Sequence, residues 1–373
     1  MTITTRSNSS GGWTRPAGGV LFATILAASM TCVSASVATN DLQPGKHVGD
    51  ENPRTGTVWV VNRDLGELVI FDARTGWVVT TRPVGTGAHD ICISDRARKA
   101  YVTAEAIDQV TTVDLKTLEL GAIPVSPLPH HCEPSRDGRT LYVSLASHPT
   151  TTPAPGTPAV AVIDTDDETV SYLATSKNPA ARSHGPYPSP DGETLFVAHD
   201  TGNEVTAIDT GSSDIDVSIT GISRAEEVIP TRYGRYLWVS ARGDGTVKRI
   251  DLYTKKVVSV PVGVQPESIM LTPSERTLIV SSRGTPASLA FVDTDSLTLL
   301  DTVTIGGAGT FGDLAVITDD GRFVYATFDS GALGTGGVAV VDVKRRSVVD
   351  TWTYPGTGRP HGIVYSRRKP HLE

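Results

Sequence analysis

Seven side chains able to bind a metal or carry a proton recur at one position of a repeated segment. The segments end in Ser or Thr, at Ser94, Ser135, Ser189, Thr231, Thr272, Thr318 and Ser366. Five positions before these ends stand His89, His130, His184, Glu226, Glu267, Asp313 and His361. Because Asp and Glu number only 41 and His 9 among 373 residues, seven matches by chance have a probability on the order of 10⁻⁶.

Four imidazoles and three carboxylates form a ligand set suited to a divalent transition metal, with Fe, Cu, Zn and Mn as candidates. Carboxylates that share a narrow site repel one another and raise one another's pKa unless a cation neutralises them. Because only neutral imidazole binds a metal, we expect affinity to fall as the histidines protonate at about pH 6. The alternative is a polar, water-filled passage in which the seven groups hydrogen-bond to one another.

Short strands separated by turns must position these residues. An apolar strand recurs as "WVVN" (59), "YVTA" (101), "YVSL" (142), "FVAH" (196), "WVSA" (238), "IVSS" (279) and "YATF" (325). A second strand follows each and ends at Asp72, Asp114, Asp164, Asp209, Asp251, Asp293 and Asp342. Steps of 42 to 50 residues between these aspartates fit seven four-stranded units, which predicts an all-β, seven-bladed β-propeller.

The repeat resembles the YVTN repeats of surface-layer and YncE-like propellers. The stretches that carry the resemblance are "GNEVTAID", "GTVKRIDLYTKKVVSVPVGVQP" and "HGPYPSPDGETLFVAH". The resemblance covers about residues 55–368. It implies a seven-bladed propeller and says little about activity, because such propellers serve many roles.

The two ends of the repeat region are predicted to close the ring together. No inner strand precedes Trp59, and "HGIVYS" at 361–366 supplies the missing one. Closure removes strand edges that would otherwise invite aggregation. Each of the seven residues then opens an innermost strand and can reach the central channel, with the four histidines consecutive around it and the acids opposite.

Three arginines lie two positions before ring residues, at Arg182, Arg224 and Arg359. Guanidinium groups above a metal site suit an anionic or carboxylate-bearing substrate. We therefore predict that they bind the substrate. The alternative for Arg224 is a simple ion pair with Glu226 or Glu227.

The first 35 residues have the order of a secretory signal: Arg6 and Arg15, the apolar run "VLFATILAASM", and small residues. We predict a signal peptide over 1–35, a linker over 36–54, the propeller over 55–368 and a tail over 369–373. The protein is thus expected to be extracytoplasmic, either periplasmic or secreted. Only Cys92 and Cys132 remain after the signal, so disulfides are not the framework of the fold.

The charge of the chain restricts its partners. The net charge is −8, and loss of 1–35 removes two arginines and no acid. An acidic chain without a basic run argues against nucleic acid and anionic membrane surfaces. No segment is long and apolar enough for a membrane span. A small molecule is the expected partner, with another exported protein as a further candidate.

The leading hypothesis is an exported, metal-dependent enzyme, with an oxidoreductase or oxygenase as the first choice. Carotenoid-cleaving oxygenases are seven-bladed propellers with a similar composition of four histidines and three glutamates, in a different blade order. A second chemistry is a lyase or hydrolase in which a ring carboxylate serves as the base. A non-catalytic binding or accessory propeller is the third hypothesis, including a subunit that docks on a dehydrogenase.

Overall fold

The computed structural model describes residues 54–150, 154–330, 336–355 and 358–371. Within these ranges 28 β-strands form seven four-stranded antiparallel sheets, and one short 3₁₀ helix spans Glu105–Ile107. The predicted all-β, seven-bladed propeller is confirmed. The predicted signal peptide and most of the linker lie outside the described residues. No helix in the described ranges is long and apolar enough to cross a membrane.

Seven innermost strands surround the central channel, and each contacts its two neighbours in a closed ring. These strands are β4 (Ala88–Ser94), β8 (Pro129–Pro134), β12 (Ser183–Pro188), β16 (Ala225–Pro230), β20 (Pro266–Leu271), β24 (Phe311–Ile317) and β28 (Pro360–Ser366). The second strands, which pair with them, are β1 (Thr57–Asn62), β5 (Lys99–Ala104), β9 (Thr140–Leu145), β13 (Thr194–His199), β17 (Tyr236–Ala241), β21 (Thr277–Ser282) and β25 (Phe323–Asp329).

The outer half of each blade is a hairpin. The third strands are β2 (Glu67–Asp72), β6 (Gln109–Asp114), β10 (Ala159–Asp164), β14 (Glu204–Asp209), β18 (Thr246–Asp251), β22 (Ser288–Asp293) and β26 (Gly337–Asp342). The outermost are β3 (Val78–Pro83), β7 (Leu120–Pro124), β11 (Val170–Ala174), β15 (Ile215–Thr220), β19 (Val257–Pro261), β23 (Thr298–Thr304) and β27 (Ser347–Thr353). The aspartate that ends each third strand accepts backbone N–H groups of the following turn, as Asp72 does from Arg74 and Thr75.

The first blade joins the two ends of the propeller, in the strand order β28-β1-β2-β3. Thr57 pairs with Ser366 and Val60 with Ile363 across the β1–β28 ladder. The predicted closure is therefore confirmed. We number the blades from this one, so that β4–β7 form blade 2 and β24–β27 form blade 7.

Apolar residues pack between neighbouring blades rather than in one central core. One cluster joins Val58 and Phe71 of blade 1 to Tyr325, Val340 and Trp352 of blade 7. Burial of these large side chains holds adjacent sheets face to face, which fixes the ring of blades and hence the channel.

Candidate metal centre

A β-bulge at the same place in all seven innermost strands positions the site. In β4, for example, Ala88 pairs with Ala104 and Ile91 with Val102, so His89 and Asp90 together face Thr103. The register shifts equivalently in the other six innermost strands. A bulge turns two successive side chains out of the normal alternation. Each innermost strand can thus direct a pair of consecutive residues, the predicted one and the next, at the channel.

Hydroxyl groups on the second strands support several of these bulges. The backbone N–H of the second bulge residue donates to a Ser or Thr directly opposite it, at 2.9–3.0 Å in four blades. These donor–acceptor pairs are Asp90–Thr103, His131–Ser144, Glu227–Ser240 and Ser268–Ser281. The bulge takes this backbone N–H out of the hydrogen-bond ladder between the strands, and the hydroxyl group supplies the acceptor that it would otherwise lack.

The structure brings all seven predicted ring residues to one level of the channel, where each is at most 7% exposed. The imidazole centroids are 4.0 Å apart for His361 and His89, 3.9 Å for His89 and His130, and 4.7 Å for His130 and His184. The acids complete the circle, since Glu226 Oε2 lies 2.9 Å from His184 Nε2 and Asp313 Oδ2 lies 3.2 Å from His361 Nε2. We call this set the channel ring.

His131, the second bulge residue of β8, adds a fifth imidazole that the sequence analysis missed. Its ring centroid lies 4.6 Å from that of His130 and 5.1 Å from that of His89. One nitrogen from each of His89, His130 and His131 can lie within 4.8 Å of the other two. The three imidazoles are thus close enough to share one ion after small side-chain adjustments.

Carboxylates outside the channel ring orient two of these imidazoles. Oε1 of Glu105 lies 2.7 Å from Nδ1 of His130, and Oδ2 of Asp90 lies 3.2 Å from Nδ1 of His131. A carboxylate on Nδ1 places the proton there and leaves the lone pair on Nε2, as in many metal sites. Nε2 of His131 is buried and has no hydrogen-bond partner among the described residues.

Three further imidazole nitrogens lack partners within the described part of the chain. Nδ1 of His89 and both nitrogens of His361 are buried without a hydrogen bond, since the 3.2 Å approach of His361 to Asp313 lacks hydrogen-bonding geometry. Buried polar atoms without partners are rare in proteins and need an explanation. Unpartnered imidazole nitrogens are donors that suit a transition metal.

The surroundings favour the neutral form of three ring histidines, His89, His130 and His361. Burial, followed by the charges of neighbouring histidines, lowers the pKa of His89 and of His130 well below its ordinary value. Burial, followed by the charge of Arg283, does the same to the pKa of His361. Neutral imidazole is the ligating form, so these lowered pKa values favour metal binding into more acidic solution than the pH of about 6 expected from the sequence.

Arginines neutralise the acidic half of the ring. Nη1 of Arg242 lies 3.1 Å from both Glu226 Oε1 and Glu267 Oε2. Nη1 of Arg283 lies 3.7 Å from carboxylate oxygens of Glu267 and Asp313. The cation that the sequence analysis expected beside these three acids is supplied by two guanidinium groups, which directly follow β17 and β21. The acids alone therefore give no argument for a metal.

His184 belongs electrostatically to the acidic half. Burial alone would lower its pKa, but the charge of Glu226, the hydrogen bond to Glu226 and the charges of Glu267 and Asp200 together outweigh burial and raise the pKa of His184 to about 9. Burial would raise the pKa of Glu226, but His184 and Arg242 together lower it to about 2. His184, Glu226 and Glu267 are also close enough to hold an ion. Their ion pairs with each other and with Arg242 make this trio the weaker candidate.

The three predicted substrate arginines already have carboxylate neighbours. Arg182 forms an ion pair with buried Asp200, Arg224 lies 3.6 Å from Glu226, and Arg359 lies 3.4 Å from Asp64. The ion pair considered for Arg224 is present with Glu226. Each of the three arginines therefore already has a carboxylate partner, and none is an unpaired cation available to a substrate.

A cavity of about 530 Å³ continues the channel on one side of the ring. All seven innermost strands contribute to its lining, which starts at the second bulge residues and reaches Asp95 and Asp319 beyond the strand ends. Both aspartates are exposed. The cavity therefore leads toward the face where the innermost strands end, which we call the far face. The predicted arginines lie toward the opposite face, near the ends of the second strands.

Cys92 and Cys132 are buried between blades 2 and 3 in one apolar cluster, together with Val110 and Leu141. Burial, above all, raises the pKa of the Cys92 thiol to about 11. A buried protonated thiol is a small apolar residue rather than a soft metal ligand.

No family model and no curated protein matches this chain. Among solved structures, the fold is similar to hydrazine synthase of Kuenenia stuttgartiensis at 22% identity and a TM-score of 0.64, covering 80% of this chain and 98% of that chain. It is similar to the dihydro-heme d1 dehydrogenase NirN in complex with DHE, at 16% identity and a TM-score of 0.58, covering 85% of this chain and 77% of that chain. It is also similar to a functionally unknown protein from Desulfotomaculum acetoxidans, at 12% identity and a TM-score of 0.67, covering 85% of this chain and 100% of that chain. At such identities these likenesses show the fold alone.

Proposed function

We propose that the protein is an exported, metal-dependent oxidoreductase whose metal lies in the propeller channel. The observation that carries the proposal is the cluster of His89, His130 and His131, all buried, with His130 and His131 oriented by carboxylates. His361 is close enough to His89 to serve as a further ligand. Export rests on the signal-like first 35 residues, and membership of the YVTN family rests on the repeat alone.

An all-imidazole donor set favours Cu, Fe or Zn over Mn, which prefers oxygen ligands. A bound Cu or Fe supplies electron transfer, whereas Zn supplies Lewis acidity. The protein residues exclude bulk water, favour the neutral form of His89 and His130, and keep the proton of His130 on Nδ1 beside Glu105. The cavity on the far side of His131 offers space for a small organic substrate.

The ring carboxylates are poor candidates for a general base. A base must accept a proton from the substrate, but His184 and Arg242, against the effect of burial, lower the pKa of Glu226 to about 2. Burial raises the pKa of Glu267 and of Asp313, but Arg283 lies 3.7 Å from both carboxylates and competes with a proton for them. This arrangement favours the oxidoreductase over the lyase or hydrolase. Two of the similar solved structures carry enzyme names, hydrazine synthase and a dehydrogenase, which is compatible with a role beside or within redox enzymes.

Metal loading with redox titration tests the proposal. The purified protein is stripped of metal, loaded separately with Cu, Fe, Zn and Mn, and assayed for metal per chain. We expect one tightly held Cu or Fe whose oxidation state cycles reversibly, and loss of that ion in His130→Ala. His148→Ala is the matched control, since His148 bonds to the Ala181 carbonyl outside the ring. A protein that holds no stoichiometric metal contradicts the proposal and favours the non-catalytic propeller.

A further inference from the structure

The cavity on the far side of the ring is one-sided in its charge. Its lining, among the described residues, contains five carboxylates and neither Lys nor Arg. Three of the carboxylates lie inside the cavity, on Asp90, Glu133 and Glu227, whereas Asp95 and Asp319 stand at its exposed rim. At the rim, Asp95 pairs with Arg368 and Asp319 pairs with Arg367. The three inner carboxylates are therefore the ones that no Lys or Arg of the described residues neutralises.

The inner carboxylates come from blades 2, 3 and 5, on one side of the cavity. Asp90 Oδ2 accepts the N–H of Cys132 at 3.1 Å, and Glu227 Oε2 accepts that of Ile269 at 3.1 Å. Glu133 makes no hydrogen bond to a described residue, and burial, followed by the charge of Asp90, raises the pKa of its carboxyl group. Tyr187, on the strand between those of Glu133 and Glu227, also lines the cavity.

The opposite wall is apolar. Strands β20, β24 and β28 of blades 6, 7 and 1 line it with Ile269, Leu271, Leu314, Val316, Ile363 and Tyr365. A volume of about 530 Å³ is far larger than a metal ion needs. The shape and lining fit a small organic molecule with one polar end.

His131 marks where the cavity meets the ring. Its side chain is only 5% exposed, it lines the cavity, and its Nε2 has no hydrogen-bond partner among the described residues. Since Nδ1 faces Asp90, the unpartnered nitrogen lies on the other edge of the imidazole, away from that carboxylate. A molecule in the cavity would thus lie directly beside the proposed metal ligands.

We infer that this cavity binds an organic ammonium ion. Its charge lies among Asp90, Glu133 and Glu227, and its apolar body packs against β20, β24 and β28. Opposite charge within a partly buried site relieves the repulsion among the carboxylates, and the apolar wall gains by excluding water. The inference deepens the proposed function, because it makes a primary amine or related cation the substrate class and the far face its route.

A charge series on one carbon skeleton tests the inference. Binding of 2-phenylethylammonium, 2-phenylethanol and phenylacetate to the metal-stripped full-length protein is measured by calorimetry. We expect the ammonium to bind at least tenfold more tightly than the alcohol, and phenylacetate not to bind. Glu227→Gln and Glu133→Gln, which remove charge with little change in shape, should each weaken the ammonium at least tenfold. Glu119→Gln, at an exposed acid outside the cavity, is the matched control and should change nothing.

Two results would overturn the inference: equal affinities for the ammonium and the alcohol, or ammonium binding that survives both substitutions. Stoichiometric displacement of the ammonium by MgCl₂ or CaCl₂ would instead assign the carboxylates to a metal and also overturn it. If a variant does not fold, the charge series on the unmodified protein still decides. Metal content is measured separately in Glu227→Gln, where we expect it to be retained. If the protein binds the ammonium ion but holds no metal, the proposed oxidoreductase is refuted and the cation site is retained.

Discussion

Oε1 of Glu105 lies 2.7 Å from Nδ1 of His130, while Oε2 of the same carboxylate lies 2.7 Å from Nη2 of Arg63. The carboxylate thus connects a surface cation to a channel imidazole and fixes the orientation of that imidazole. Glu105 stands in the only 3₁₀ helix of the described residues, directly after β5. It is a positioning residue, because it acts on the proposed metal through His130.

Removing the negative charge of Glu105 should weaken metal binding. We expect Glu105→Gln to lower the affinity by about tenfold to a hundredfold, as for other carboxylates that orient a metal-bound histidine. Competition with a chromophoric chelator measures the change, and Glu119→Gln serves as the control. Unaltered affinity in Glu105→Gln would show that the contact with His130 is only structural.

Acid should release the metal only at a pH well below 6. Histidine must be neutral to bind a metal, and the surroundings lower the pKa of His89 and His130 well below 6.5. A lowered pKa means that protons compete less with the metal, so retention extends further into acid. Metal content after equilibration between pH 7 and pH 4 checks this. Half-release at pH 6 or above contradicts it.

The pair of His184 and Glu226 should make stability depend on pH in the alkaline range. The folded-state pKa of His184, about 9, lies above its ordinary value of 6.5. Its contribution is therefore complete below pH 6.5 and is lost as pH rises through 9, by up to about 3 kcal/mol. Urea unfolding of the metal-free protein measures this, with His184→Gln as the reference. A difference between the two proteins that stays constant from pH 6 to pH 10 refutes the assignment.

Loss of Arg242 should destabilise the fold far more than loss of Arg224. Arg242→Ala leaves the buried carboxylates of Glu226 and Glu267 without their shared cation. Breaking a buried ion pair costs about 3–5 kcal/mol. The side chain of Arg224 is 52% exposed, so its replacement should cost less than about 1 kcal/mol. Equal losses in denaturant unfolding would mean that the acids do not depend on Arg242.

Truncation should open the ring of blades. Deleting residues 358–373 removes β28 and leaves the inner edge of β1 unpaired. Unpaired edges promote aggregation, so we expect little soluble protein compared with the full chain. A truncated protein that stays monomeric and melts like the parent would contradict the closure observed between β1 and β28.

Repeats made the fold predictable, because each blade repeats the same apolar strands and the same turn-capping aspartate. The channel ring was found for the same reason, since His361 and its six equivalents occupy one position of that repeat. His131 was missed because regular strand alternation puts it on the opposite face from His130, and only a bulge brings both to the channel. The hydroxyls facing the bulges, such as Ser144 and Ser240, were a signal within the repeat.

Contacts between distant parts of the chain escaped the sequence analysis. Glu105 is 25 residues from His130, and no motif connects them. Arg242 and Arg283 follow second strands at equivalent positions, but their spacing does not show that they reach the ring acids. The charge balance in the channel could therefore be determined only from the structure. It restricts the candidate metal ligands to the histidine side of the ring.

X-ray absorption of the metal-loaded protein tests the central claim most directly, because it counts the imidazole ligands around the ion. With one Cu, Fe or Zn per chain, we predict at least three imidazole nitrogens near 2.0–2.1 Å, a typical metal–nitrogen distance. One imidazole should be lost in His130→Ala or His131→Ala, whereas Glu267→Gln should leave the spectrum unchanged. A first shell dominated by carboxylate oxygen, or the failure to load any ion, would contradict the histidine-bound metal centre.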